Sequence, residues 1–253
     1  MAEVDDPVAL CVHGESLWHR MGLSALGVGW EEDGAVARRT GNASPVFLAA
    51  STIAPSATAE QLDAAAAGLT GRLTVADSHS RLDLHGLGWR MPGTQAWMAR
   101  PAGGLTVPRV SGLRVAPVGS AEEVRLFERT IFEAADGNPD WAPSGSVHPA
   151  PASLHVPGLT LVIAWLDGRP VGTALAAVDG RVVQVSAVSV LRSARRRGIG
   201  AALTAAVVGL APELPAVLSS TAMGHGVYLG LGFAEVGRRT LWDRVVAETG
   251  SVA

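Results

Sequence analysis

One cysteine, one tyrosine and four phenylalanines are all that this chain of 253 residues holds of those three residue types. A single cysteine, Cys11, excludes an intramolecular disulfide and argues against a cysteine-built metal site, which suits a reducing, cytoplasmic setting. Charge is also scarce. Charged residues make up 17% of the chain and the formal net charge is −3, so the basic surface of a general nucleic-acid binder is missing. The opening MAEVDDPVALCVHGE has no basic segment followed by an apolar run, so it does not read as a signal peptide. No uncharged apolar stretch reaches the roughly 18 residues of a membrane span. The longest candidate, residues 198–216, is interrupted by Pro212, Glu213 and Pro215 and reads as helix, loop and strand. His13, His19, His79 and His85 show no metal-ligand spacing.

Hydrophobic residues are plentiful at 48%, enough for a sizeable core, and the length suits one large or two modest domains. Asp5-Asp6-Pro7 has the form of a helix start, and a helix is expected to about Ala25, with Leu10, Leu17 and Met21 inward. After a break at 27–34, strands are expected at 35–39 and 45–52, a helix at 56–69 capped by Ser56 or Thr58, and strands at 72–76 and 95–99. Trp18, Trp30 and Trp89 are candidates for the core of this part, and Cys11 for a buried apolar position. The segment PAGGLTVP, residues 101–108, reads as a linker. It divides the chain into an N-terminal α/β region, 1–105, and a second unit, 109–253.

The second unit reads as strand 113–117, helix 120–134, a hairpin of strands 159–166 and 171–178, strand 182–190, helix 200–210, strand 216–220, a short helix 225–229 and strand 234–243. In helix 120–134, Val124, Phe127, Ile131 and Ala134 recur at helical spacing, and in helix 200–210 Leu203, Val207 and Leu210 are expected inward. Between 136 and 157 lies a loop with five prolines, long enough to be a substrate loop, with Trp141 a candidate for lining an acceptor pocket.

The most informative segment is Arg195-Arg196-Arg197-Gly198-Ile199-Gly200, placed where a strand gives way to a helix. No Gly-Lys-Ser/Thr follows, so it is not a P-loop, and Leu203 stands where a dinucleotide fingerprint needs its third glycine. It fits a pyrophosphate turn: glycines allow close backbone approach, the N–H groups of a helix start face an anion, and arginines supply counter-charge. Downstream stand Leu218-Ser219-Ser220, then Met223-Gly224, then Tyr228 four residues before Gly232-Phe233.

This order resembles the GNAT superfamily of acyl-CoA-dependent N-acyltransferases over residues 113–242. The family motif Arg/Gln-x-x-Gly-x-Gly/Ala falls on Arg195, Gly198 and Gly200, its valine-rich lead-in on Val188, Ser189 and Val190, and its Tyr-x-x-x-Gly-Phe on Tyr228, Gly232 and Phe233. The resemblance implies an α/β fold: a mixed, mostly antiparallel sheet with a splayed centre and helices on both faces, here with a smaller N-terminal α/β region similar to a degenerate half-copy. It implies transfer of an acetyl group from acetyl-CoA to a primary amine of a small molecule or peptide. The pantetheine arm would lie along Val188, Ser189 and Val190, the pyrophosphate on the N–H groups of Arg196, Arg197, Gly198, Ile199, Gly200 and Ala201, and Tyr228 would protonate the departing thiolate. The glutamate that many members carry on the strand before the motif is missing; Gln184, Ser186 and Ser189 stand there. Glu133, Asp136, Asp140, His148, His155 and His225 are the substitutes the sequence offers. That gap motivates a second reading, a non-catalytic acyl-CoA-binding or sensory protein. A third is an interaction module whose N-terminal half buries a partner or, as a homodimer, a second copy.

Overall fold

The computed structural model describes residues 6–107, 109–135 and 151–247. The elements are α1 (Pro7–Ser24), β1 (Trp30–Asp33), β2 (Val36–Arg39), β3 (Ala50–Thr52), α2 (Ala59–Ala65), β4 (Gly71–Asp77), β5 (Arg90–Arg100), β6 (Leu113–Pro117), α3 (Ala121–Ala134), β7 (Leu159–Leu166), β8 (Arg169–Val178), β9 (Val183–Val190), α4 (Ile199–Val208), β10 (Ala216–Ser220), α5 (Ala222–Gly230) and β11 (Ala234–Val246). The strands form one sheet in the order β1-β2-β3-β4-β11-β5-β10-β9-β8-β7-β6. All neighbours are antiparallel except β3 with β4 and β9 with β10. The mixed, mostly antiparallel sheet expected from the resemblance is the sheet observed.

Alternation along the strands sorts the core onto two faces, as a period of two requires. On β10, Ala216 and Leu218 face the layer that holds Leu203 and Val207 of α4, whereas Val217 faces the opposite layer with Leu17 and Trp18 of α1 and Phe127 of α3. On β5, Met98 joins the first layer and Trp97 the second. A third cluster, around Leu62, Trp89 and Trp242, packs α2 on the β4 side of the sheet. Leu210 is 48% exposed, against expectation, because α4 stops at Val208.

Local chemistry explains most boundaries. Asp6 caps α1 by accepting from Val8 N–H at 3.0 Å, and Pro7 fills the first turn where no N–H is needed. Thr58 and Gln61 form a reciprocal capping box on α2, and Ser120 caps α3. Residues 45–48, expected in a strand, turn instead: Phe47 N–H bonds Ser44 C=O, and only β3 remains extended. The break expected at 27–34 holds β1, paired antiparallel with β2.

Helix α1 departs most from expectation. Leu17 is buried, but so are Cys11, Val12, Glu15, Ser16, Trp18, His19 and Leu23, so nearly the whole circumference is covered. It crosses β8, β9 and β10 and also touches β1 and β5. Gly14 makes the close approach: a Cβ there would stand 2.6 Å from Gln184 Oε1 and 2.7 Å from Val217 Cγ2. Gly14→Val is expected to lower stability by about 1–3 kcal/mol through overpacking, read as a fall in the urea midpoint.

Strand β5 lies between β10 and β11, hydrogen-bonded to both, so the two last strands of the chain never meet. Residues 109–253 produced alone would leave the facing edges of β10 and β11 unpaired. That fragment is expected to show no cooperative melting by circular dichroism, whereas the full chain melts sharply; a sharp transition in the fragment would refute the dependence.

Candidate active site

Strands β9 and β10 pair only at Val183–Ala216 and Gln184–Val217, then part. The cause sits on β9. Opposite Thr173 and Leu175 the register slips by one residue, and Ala187 takes the left-handed conformation at φ 53°. Thr173 Oγ1 donates to Ala187 C=O at 3.0 Å and pins the bulge. A Cβ on Gly172 would meet Ser189 C=O at 2.6 Å, so the bulge can close on β8 only over a glycine. Beyond Gln184 the β10-facing edge of β9 has no ladder partner.

Two cavities open at this parting. One, of about 530 Å³, lies over Val188, Ser189 and Val190 and reaches the start of α4 at Gly198, Gly200 and Ala201. There Gly198 is left-handed at φ 80°, the helix start carries no side-chain cap, and the first helical bond runs from Ala202 N–H to Gly198 C=O. The N–H groups of Ile199, Gly200 and Ala201 precede that bond. With Arg196 also left-handed at φ 60°, the turn has the form of an anion-binding concavity at a positive helix end. Side chains play different parts. Arg196 is exposed and lines the cavity; Arg197 is exposed and lies off it. Ile199 is buried in the core, so only its backbone can serve a ligand. The Arg195 guanidinium is spent on Val190 C=O (3.0 Å) and Ala134 C=O (2.8 Å), tying the end of β9 to the end of α3.

The second cavity, of about 300 Å³, shares Ile131, Val188, Ser189, Thr221 and Tyr228 with the first. Tyr228 thus stands where the two meet. The spacing Tyr-x-x-x-Gly-Phe has a mechanical reason. Gly232 is left-handed, Gly232 N–H bonds Leu229 C=O, and Phe233 N–H bonds Tyr228 C=O, a Schellman termination of α5 that stacks the Phe233 ring edge-on at 5.9 Å from Tyr228. Gly224, one turn earlier, clears the phenol: a Cβ there would touch it at 3.0 Å. Burial pushes the phenol up to about 12, so it keeps its proton at neutral pH. Its hydroxyl makes no hydrogen bond among the described residues.

The carboxylates of the second cavity come from helices rather than from β9. They are Glu15 on α1 and Glu128 on α3, both buried. Each interrupts an apolar face, Glu15 three or four places from Cys11, Val12, Trp18 and His19, and Glu128 four places from Val124; that interruption was the available sequence signal. Of the substitutes the sequence offered, Glu133 and His155 are exposed and outside the cavity, and His225 bonds Ser220 Oγ at 3.1 Å, also outside it. Asp136, Asp140, Trp141 and His148 lie outside the described residues. Gln184 is fully buried against α1, while Ser186 and Ser189 line the cavity.

Glu15 belongs to a buried network. Arg239 on β11 donates to Glu15 Oε1 at 2.6 Å and, through Nε and Nη2, to Gln95 Oε1 at 2.9 and 2.6 Å, with its guanidinium 4.9 Å from the Trp97 ring centre. Burial, the largest single influence, would raise the Glu15 carboxyl, but the charge and hydrogen bond of Arg239 together with the neighbouring His19 outweigh it and hold the group below its ordinary range. His19, one turn along α1, accepts from Leu48 N–H at 3.0 Å; burial lowers it and keeps it neutral. Among the described residues no cluster of three or more His, Cys, Asp or Glu could hold a metal, and no helix is long and apolar enough to cross a membrane.

Residues 127–233 match the Acetyltransferase (GNAT) family model. No curated protein matches the chain. The fold is similar to that of a GCN5-related N-acetyltransferase from Kribbella flavida, with TM-score 0.59, 20% identity and 96% of each chain covered. It is also similar to a GNAT-family protein from Novosphingobium aromaticivorans, with TM-score 0.56, 18% identity, and 94% of this chain and 99% of that one covered. Residues 127–233 therefore form a GNAT-type acetyltransferase domain.

A depressed folded-state pKa means that Glu15 contributes stability above its unfolded value and loses it as pH falls through the folded value. The full chain is expected to weaken on acidification below about pH 4, and Glu15→Gln to show a shallower dependence in urea midpoints between pH 3 and 7. Arg239→Met, which strands a buried carboxylate, is expected to cost about 3–5 kcal/mol at pH 7.

Proposed function

We propose that this acetyltransferase domain moves an acetyl group from acetyl-CoA to a primary amine, with the thioester at the Tyr228 junction. The observation that carries the reading is the meeting of two differently built cavities at one phenol. One ends on an uncapped helix start beside a left-handed arginine-glycine turn and suits a diphosphate. The other has apolar walls and buried carboxylates and suits an amine.

The open edge of β9 offers backbone groups of Val188 to Val190 to an extended pantetheine arm, in the manner of an added strand. A backbone N–H there polarises the thioester carbonyl. The amine nitrogen bonds to the carbonyl carbon, the carbon–sulfur bond breaks, the amine loses one proton and the sulfur gains one. Tyr228 supplies the second proton: a phenol near 12 is protonated at working pH and its hydroxyl is free to face the sulfur. For the first, Glu128 and Glu15 are the carboxylates on the cavity wall, and Arg239 holds Glu15 below the ordinary carboxylate range, which makes Glu15 a weak base.

Thiol release from acetyl-CoA in the presence of an amine panel tests the reading. Tyr228→Phe is expected to lower kcat by about 10²- to 10⁴-fold while leaving CoA binding within a few-fold. Binding of CoA with no thiol release by the native chain, for any amine, would favour the alternative of a non-catalytic acyl-CoA sensor.

A further inference from the structure

The second cavity has a feature that amine transfer alone does not use. Arg239 is 7% exposed and lines the cavity, yet only three of its N–H bonds are accounted for: Nε and one Nη2 hydrogen to Gln95 Oε1, and one Nη1 hydrogen to Glu15 Oε1. A guanidinium has five donors, so two have no partner among the described residues, one on each terminal nitrogen. Buried donors are normally satisfied, and a buried donor without a partner is costly. The guanidinium cannot swing away, being clamped by Glu15 and Gln95 and lying over Trp97. The site is therefore preorganised for an oxygen acceptor.

Resting on the acetyl-transfer reading, we propose that the acceptor is a small α-amino carboxyl compound with an apolar side chain, such as an amino acid or its amide. Its carboxyl or amide oxygen would be held by the two remaining Arg239 donors, and its amine directed to the Tyr228 junction. Trp18, Val46 and Phe132 supply the apolar wall for the side chain. At about 300 Å³ the cavity is at the small end of ligand sites, which suits a single amino acid. Glu15 sets the position of Arg239 rather than touching the acceptor. Its carboxylate balances the guanidinium charge, so an uncharged amide oxygen is a partner as well as a carboxylate, and the experiment separates the two.

Leucine, leucinamide and 3-methylbutylamine share one side chain and an amine and differ only in the oxygen group. With the full chain and acetyl-CoA, KM for leucine or leucinamide is expected to lie at least about tenfold below that for 3-methylbutylamine, the discrimination of one good hydrogen bond or more. Whichever of leucine and leucinamide is preferred assigns carboxylate or amide. The double variant Glu15→Gln/Arg239→Gln, which leaves no buried charge unpaired, is expected to lose the preference. Equal use of 3-methylbutylamine by the native chain, or a preference that survives in the folded double variant, overturns the proposal. Should the double variant fail to fold, the native comparison alone decides. If none of the three releases thiol, the wider amine panel decides acetyl transfer, and calorimetric binding of the same three compounds decides this proposal: preference for the oxygen-bearing pair upholds it, and equal or absent binding overturns it.

Discussion

The parting of β9 from β10 is the constraint on which the site depends. A sheet normally separates the helices on its two faces. Here pairing stops after Gln184 and Val217, and the gap lets Tyr228, from the face covered by α4 and α5, share a cavity with Glu15 and Glu128 from the face covered by α1 and α3. Without the gap these groups would lie on opposite sides of a hydrogen-bonded ladder. The bulge at Ala187, the hydroxyl of Thr173 and the missing side chain of Gly172 hold it open on one side. On the other, β10 keeps its pairing with β5 through Ser220 and cannot follow β9.

The N-terminal region takes part in both the sheet and the cavity. It supplies β5, which stands between the last two strands, and α1, which crosses the strands just where they begin to separate. Glu15, Trp18, Val46 and Gln95 all come from residues before the linker-like segment at 101–108 and line the same cavity as Tyr228. The Glu15–Arg239–Gln95 network joins the first helix, the inserted strand and the last strand at the cavity floor. A buried ion pair of this kind adds little net stability over an apolar substitute, yet is costly to break on one side. What it secures here is the position of a guanidinium that lines the second cavity.

The turn before α4 and the tyrosine of α5 were legible as local patterns. Gly198 meets a local conformational demand, being left-handed beside Arg196, and Tyr228, Gly232 and Phe233 encode a helix termination within six residues, so short-range chemistry marks them in the sequence. Even there the part played by each side chain was not legible. Arg195 bonds carbonyls on β9 and α3, 61 residues apart in the case of Ala134, and Ile199 turns into the core. The carboxylates of the second cavity were not legible. No carboxylate stands on β9, and those of the cavity sit on α1 and α3.

The sequence by itself determined the class of fold, the order of most elements in the C-terminal part and the turn suited to a diphosphate, because periodicity, caps and glycine conformations act over a few residues. Only the tertiary structure decided which carboxylates line the second cavity, that β5 completes the sheet between β10 and β11, and that Arg239 stands over Trp97 at that cavity. Those outcomes depend on contacts across 144 residues, from Gln95 to Arg239, and 224 residues, from Glu15 to Arg239, and on a gap in strand pairing. A charged residue on an apolar helix face shows that it must find a partner; which partner, and what opening they share, is settled by packing alone.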